Sequence, residues 1–208
     1  MNGCGIGIYS LDGECFPIVG HFFPGFFYLI SFFYKFGIGL KGIVMFVSIL
    51  NLISCIYLSF NINKFLKNPN LSLSVFIFTS ISPLTLGWSR LILIEPLIIT
   101  LGIFFLALFI KIFYEGFTRK NLSLILFIQV LAIYLKPTAI LFSIPFICLL
   151  IYKLKPLSIL RLLSLWTLVI SISIAPWGIR NLSYGASSPF TSVLESNFFP
   201  KFVNGYTD

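Results

Sequence analysis

Charge is the first thing this sequence lacks. Only 10% of its 208 residues are Asp, Glu, Lys or Arg, and just six are acids, where a typical soluble domain carries about 25% charged residues. Such a chain cannot cover a core with a solvated surface, which excludes a soluble globular fold. Four cysteines are too few for a disulfide-stapled miniprotein. The single histidine, His21, supports no histidine-based zinc site. The 15 glycines follow no triplet period, which excludes collagen. The alternating segments of about ten residues that build an outer-membrane barrel are also missing. Residues 1–21 have no basic start followed by an apolar core, so they are not a signal peptide.

Apolar residues take the place of charge. They make up 58% of the chain, and the mean hydropathy is +1.03, which excludes disorder. Runs such as GIVMFVSILNLISCIYLSF match the roughly 20 residues that cross a bilayer core of about 30 Å. The expected fold is all-α, a polytopic integral membrane helical bundle of about six transmembrane helices plus one interfacial helix.

Apolar length and intervening charge divide the chain into a single transmembrane region with flanking loops. Residues 1–21 read as an extracytoplasmic loop. The aromatic stretch FFPGFFYLISFFYKF, residues 22–36, is too short to span and reads as the interfacial helix. Residues 42–60 form the first span. Residues 71–110 are interrupted by GWSR and by Glu95-Pro96, giving spans at 71–88 and 93–110 around a polar corner. Residues 121–152 carry Lys136-Pro137 in their middle and read as a short hairpin whose corner dips into a cavity. The last span, 157–176, ends at Pro176-Trp177 and leaves 177–208 as an extracytoplasmic tail.

This division absorbs most of the net charge of +8, so nucleic acid is not an expected partner. One side holds Lys64, Lys67, Lys111, Arg119, Lys120, Lys153, Lys155 and Arg161, with Glu115 as its one acid. The other holds Lys35, Lys41, Arg90, Lys136, Arg180 and Lys201, with Asp12, Glu14, Glu95, Glu195 and Asp208. Lys and Arg accumulate in cytoplasmic loops, so the first side is the cytoplasmic one. The expected location is a bacterial-type inner (plasma) membrane, crossed several times.

Several residues on the extracytoplasmic side carry chemistry. Glu95, in LILIEPL, would cost roughly 2.5–3.5 kcal/mol if ionised at the bilayer centre, so it sits at an interface or faces a wet cavity. It is either a site carboxylate near Arg90 or a helix-starting acid before Pro96, favoured by the helix dipole. Lys136, in YLKPTA, is either a phosphate-binding cation or a snorkelling interfacial lysine. Arg180, in APWGIRN, suits bidentate phosphate binding or interfacial anchoring beside Trp177. The string GIGLKG joins an aromatic helix to a span and follows no strand, so it reads as a turn and not a dinucleotide loop. Cys55 and Cys148 read as packing residues. Cys4 and Cys15 share a loop in which they could pair if the compartment oxidises.

The order of these pieces resembles the GT-C superfamily of membrane glycosyltransferases. Within it, the chain is most similar to glycosyltransferase family 39, relatives of the dolichyl-phosphate-mannose protein mannosyltransferases and of aminoarabinose transferase. NGCGIGIYSLDG resembles the loop after the family's first helix, and HFFPGFFYLISFFYKFG its Pro-Gly-Tyr-Pro juxtamembrane helix. RLILIEPLIITL resembles its Ser-Glu-Pro corner, LKPTAILFSIPF its Thr-Arg/Lys-Pro corner, and APWGIRNLSYG its Pro-Trp-x-x-Arg-Asn piece. The resemblance implies transfer of a sugar from a polyprenyl-phosphate-linked donor, with membrane lipid around it, to a glycan, lipid or protein acceptor at the extracytoplasmic face.

By the same resemblance Lys136 and Arg180 would neutralise the leaving phosphate, with Arg90 a further candidate. Glu95 would shape or polarise the cavity. No cofactor or metal ligand set is implied, and a need for a divalent metal stays open. The family's catalytic Asp precedes its Gly-x-Gly piece and has no counterpart here. Asp12 and Glu14 stand on the wrong side of that piece, which leaves Glu95 as the candidate carboxylate. Phe26 and Phe27 replace the family's Tyr and second Pro. The chain therefore reads as an internal portion of such an enzyme. The alternatives are a membrane transport or binding subunit, and an inactive remnant. No inverted repeat is visible.

Overall fold

The computed structural model describes residues 7–9, 15–17, 25–81 and 94–183. Seven α-helices account for nearly all of them: α1 (Gly25–Lys35), α2 (Leu40–Leu66), α3 (Pro69–Ile81), α4 (Glu95–Glu115), α5 (Arg119–Leu135), α6 (Ser143–Lys153) and α7 (Pro156–Ser183). A 3-10 segment, Pro137–Phe142, joins α5 to α6. The expected all-α class holds apart from one short antiparallel ribbon, β1 (Gly7–Tyr9) against β2 (Cys15–Pro17), in which Ile8 faces Phe16.

Each break has a local cause. Gly37, at φ +72°, ends α1 in a turn closed by bonds from Gly37 N to Tyr34 O and from Ile38 N to Phe33 O. GIGLKG is thus a turn running into α2, as its sequence context indicates. Lys67 adopts the left-handed conformation at the end of α2, and Asn68 caps α3 through its side chain on Leu71 N, with Pro69 in the first helical position it favours. Gly116, at φ +87°, ends α4. Thr118 then caps α5 by accepting from Asn121 N.

Among the described residues three helices are long and apolar enough to cross a membrane: Lys41–Leu66, Glu95–Glu115 and Pro156–Pro176. Shorter apolar helices cover Pro69–Ile81 and Thr138–Lys153. Of the expected span 71–88, the part beyond 81 lies outside the described residues. The helices also overrun the apolar segments. The first expected span continues past residue 60 to Leu66, and the one expected to stop at 110 runs to Glu115. Lysine and glutamate are good helix formers and do not end a helix. Residues 177–183, expected in the tail, are the last two turns of α7, which continues through Pro176. Membrane helices tolerate proline because neighbouring groups satisfy the freed backbone.

Polar side chains join the helices where apolar contact alone would let them slide. The Asn51 amide on α2 donates to Thr100 Oγ1 on α4 at 3.1 Å. Ser59 and Ser72 bond to each other and to each other's carbonyls between α2 and α3. Phe105, Ile125, Phe146 and Trp166 centre one apolar cluster among α4 to α7. Phe33, Ile43, Leu97 and Leu135 centre another among α1, α2, α4 and α5.

Much of the outer surface is apolar. Phe78, Leu160 and Ile172 are each more than 60% exposed, and only 11% of the Pro156–Pro176 stretch is buried. Water does not sustain a continuous apolar surface of this extent. Hydrocarbon does, which is the physical support for a membrane location.

Candidate functional site

Two of the residues singled out from sequence meet. Glu95 opens α4 and Lys136 follows the last residue of α5, 41 positions later, with Lys136 Nζ 3.2 Å from Glu95 Oε1. Pro137 sets this up, because the residue before a proline is driven out of the helical region. Lys136 is accordingly extended, at φ −151° and ψ 121°. A carboxylate at a helix N-terminus and a cation at a helix C-terminus are each stabilised by the dipole. The dipole-favoured reading of Glu95 and its pairing with a cation therefore hold together. The pair lies at the rim of the bundle, with side chains 38% and 35% exposed. An ammonium has three donors, and one contact with Glu95 leaves Lys136 able to meet an incoming anion.

The surroundings hold this corner tightly. Gly25, at the start of α1, lies so close to α5 that an added Cβ would stand 2.7 Å from the Tyr134 carbonyl oxygen. Gln129 is fully buried, and its Nε2 donates to Ala139 O at 2.8 Å, pinning the 3-10 segment back onto α5. Gln129 Oε1 has no partner among the described residues. The Tyr134 hydroxyl donates to Ser173 O on α7. Arg180 follows Ser173 by seven residues on the same helix, about 10 Å further along its axis, toward the end that carries Lys136. Arg90, Cys4, Asp12, Glu14 and His21 lie outside the described residues.

The opposite end of the bundle gathers the basic loops. Lys64 Nζ is 2.6 Å and Lys111 Nζ 3.9 Å from the Glu115 carboxylate. Phe65 stacks on Tyr114, and Phe113 on Tyr152. The Lys153 ammonium sits 4.5 Å from the centre of the Phe113 ring. The C-termini of α2, α4 and α6 therefore share one end, as the charge distribution indicates. Between the two ends α4 has 21 residues, about 30 Å of helix, matching a hydrocarbon core.

Sequence reading missed Gln129, Tyr134 and the Asn51–Thr100 bond. A polar residue inside an apolar run was the available signal for each. Cys55 is buried and meets Asn51 Oδ1 at 3.5 Å, consistent with packing, whereas Cys148 is exposed. That corrects its reading as a packing residue: it lies on the outward side of α6. Among the described residues no three His, Cys, Asp or Glu side chains come together as a metal site. No family profile, no characterised protein and no solved structure compared with this chain matches it.

Proposed function

We propose that the chain is a glycosyltransferase-like protein of a bacterial-type inner membrane, acting on a polyprenyl-phosphate-linked sugar at its extracytoplasmic face. The observation that carries the reading is the Lys136–Glu95 pair at the end of the bundle away from the basic loops. There the positive-inside tendency gives no reason to keep a lysine. Lys136 and Arg180 supply cations where negative charge develops on the departing phosphate, the usual way of stabilising such a transition state. Glu95 orients Lys136 and polarises the corner, and Arg90 is a third cation for the same phosphate. Glycan, lipid or protein accepts the sugar. The finer topology belongs to this proposal: about six crossings, counting the α3 segment and both arms of the hairpin, with α1 lying in the interface.

The test uses the full chain reconstituted in vesicles with a polyprenyl-phosphate-linked sugar carrying a radiolabel. Wild-type protein should bind the carrier and release polyprenyl phosphate when an acceptor is present, and Lys136→Ala or Arg180→Ala should abolish release while membrane insertion persists. Binding without release points to the second reading, a membrane binding or transport subunit whose polar corner lines a path. Unchanged release in both variants sinks the phosphate assignment.

A further inference from the structure

We propose that the ledge formed by the ends of α4 and α6 binds the headgroup of an anionic phospholipid in the leaflet it faces. The inference is independent of any sugar transfer at the other end. Its centre is Lys153, whose ammonium lies 4.5 Å from the centre of the Phe113 ring. Phe113 stacks in turn on Tyr152, which is 75% exposed. A ring face holds a cation in place without consuming its hydrogen-bond donors. Lys153 and its neighbour Lys155 have no carboxylate partner among the described residues. The one acid at this end among the described residues, Glu115, is already engaged by Lys64 and Lys111.

Charge complementarity therefore calls for an anion, and the surroundings select its source. Below Tyr152, whose ring centre lies 6.0 Å from the Lys153 ammonium, Cys148 and Pro145 are exposed. Four and seven residues before Tyr152 on one helix, they share its face over two turns. Acyl chains lying along that face bring a phosphodiester to the depth of the Lys153 ammonium. Tyr152 stands at the same level with an apolar ring and a polar tip, the arrangement that suits the boundary between chains and headgroups. A phosphate free in solution has no use for the apolar face below.

The test measures the association of spin-labelled phosphatidylglycerol, relative to spin-labelled phosphatidylcholine, with the full chain in phosphatidylcholine vesicles. Wild-type protein should prefer the anionic lipid. Lys153→Gln should cut that preference by up to about fivefold, the effect of one cation near an anionic leaflet. Lys153→Arg should retain it, and Lys41→Gln, at the far end of α2, should leave it unchanged. If Lys153→Gln loses helical content by circular dichroism, Lys155→Gln, which lies off the ring stack, should show a comparable fall. Equal association of the two lipids overturns the proposal. So does an equal fall in Lys41→Gln, or loss of the preference when inorganic phosphate is added, which would mark a site for free anions.

Discussion

The Tyr134 hydroxyl donates to the main-chain carbonyl of Ser173, three residues before Pro176. A proline has no N–H for the carbonyl a turn earlier, and its ring crowds that turn. Pro176 leaves the Ile172 carbonyl without its donor, and Tyr134 bonds the next carbonyl, that of Ser173, tying α7, which is otherwise loosely packed, to the end of α5 beside Lys136. Tyr134→Phe keeps the ring and removes the bond, so it should cost about 0.5–1.5 kcal/mol. Thermal unfolding in detergent reads the loss, and an unchanged midpoint argues that α7 is held by apolar contact alone.

The Glu95–Lys136 pair should show a small coupling. Both side chains are more than a third exposed, so water screens them, and a double-mutant cycle of Glu95→Gln and Lys136→Gln should give about 1 kcal/mol or less. Exchanging the two charges, Glu95→Lys with Lys136→Glu, restores the attraction but sets each charge against its helix dipole. The exchanged protein should therefore be less stable than wild type. Equal stability would mean that the dipoles contribute nothing at these termini.

Gly25 is a contact residue by virtue of having no side chain. In Gly25→Ala the new methyl group meets the Tyr134 carbonyl, which is backbone and cannot swing aside. The start of α1 must then lift off α5, at a cost of about 1–3 kcal/mol. Cross-linking between cysteines placed on α1 and α5 should fall in this variant. Cross-linking at the wild-type rate would show that α1 approaches α5 less closely than described.

Gln129 offers a comparison of two losses. Gln129→Leu gives up the bond to Ala139 O but also removes a buried oxygen that has no partner among the described residues. The two effects oppose each other, and the net cost should stay below about 1.5 kcal/mol. Gln129→Ala adds a cavity at a fully buried position and should cost about 2–5 kcal/mol. Equal destabilisation by the two variants, measured by denaturant titration, would contradict the buried and packed placement of this side chain.

Much of this architecture was legible because membranes simplify the code. Apolar runs gave α2, α4 and α7, and Lys136-Pro137 gave the corner between α5 and the 3-10 segment. The charge distribution placed Lys64, Lys111 and Lys153 at one end. Helix ends were less legible, since counting apolar residues stops at the first charge whereas the helix stops only at a breaker such as Gly116. The pairing of Glu95 with Lys136 was not legible either. Both residues stood out, each for its cost in an apolar run, but nothing local links positions 41 apart. The bonds of Gln129 and Tyr134 lay further from view, because their partners are main-chain carbonyls and leave no trace in residue identity.

One consequence of α4 concerns the bilayer itself. A salt bridge marks each of its ends, Glu95 to α5 and Glu115 to α2, and the Asn51–Thr100 bond and the two apolar clusters between them keep the helix from sliding along its neighbours to suit a different lipid thickness. A thicker bilayer has to thin around it, and a thinner one has to tilt the bundle as a unit. Packed along its length, α4 acts as a gauge of about 30 Å. Lipids of matching chain length should gather around this protein in preference to longer ones.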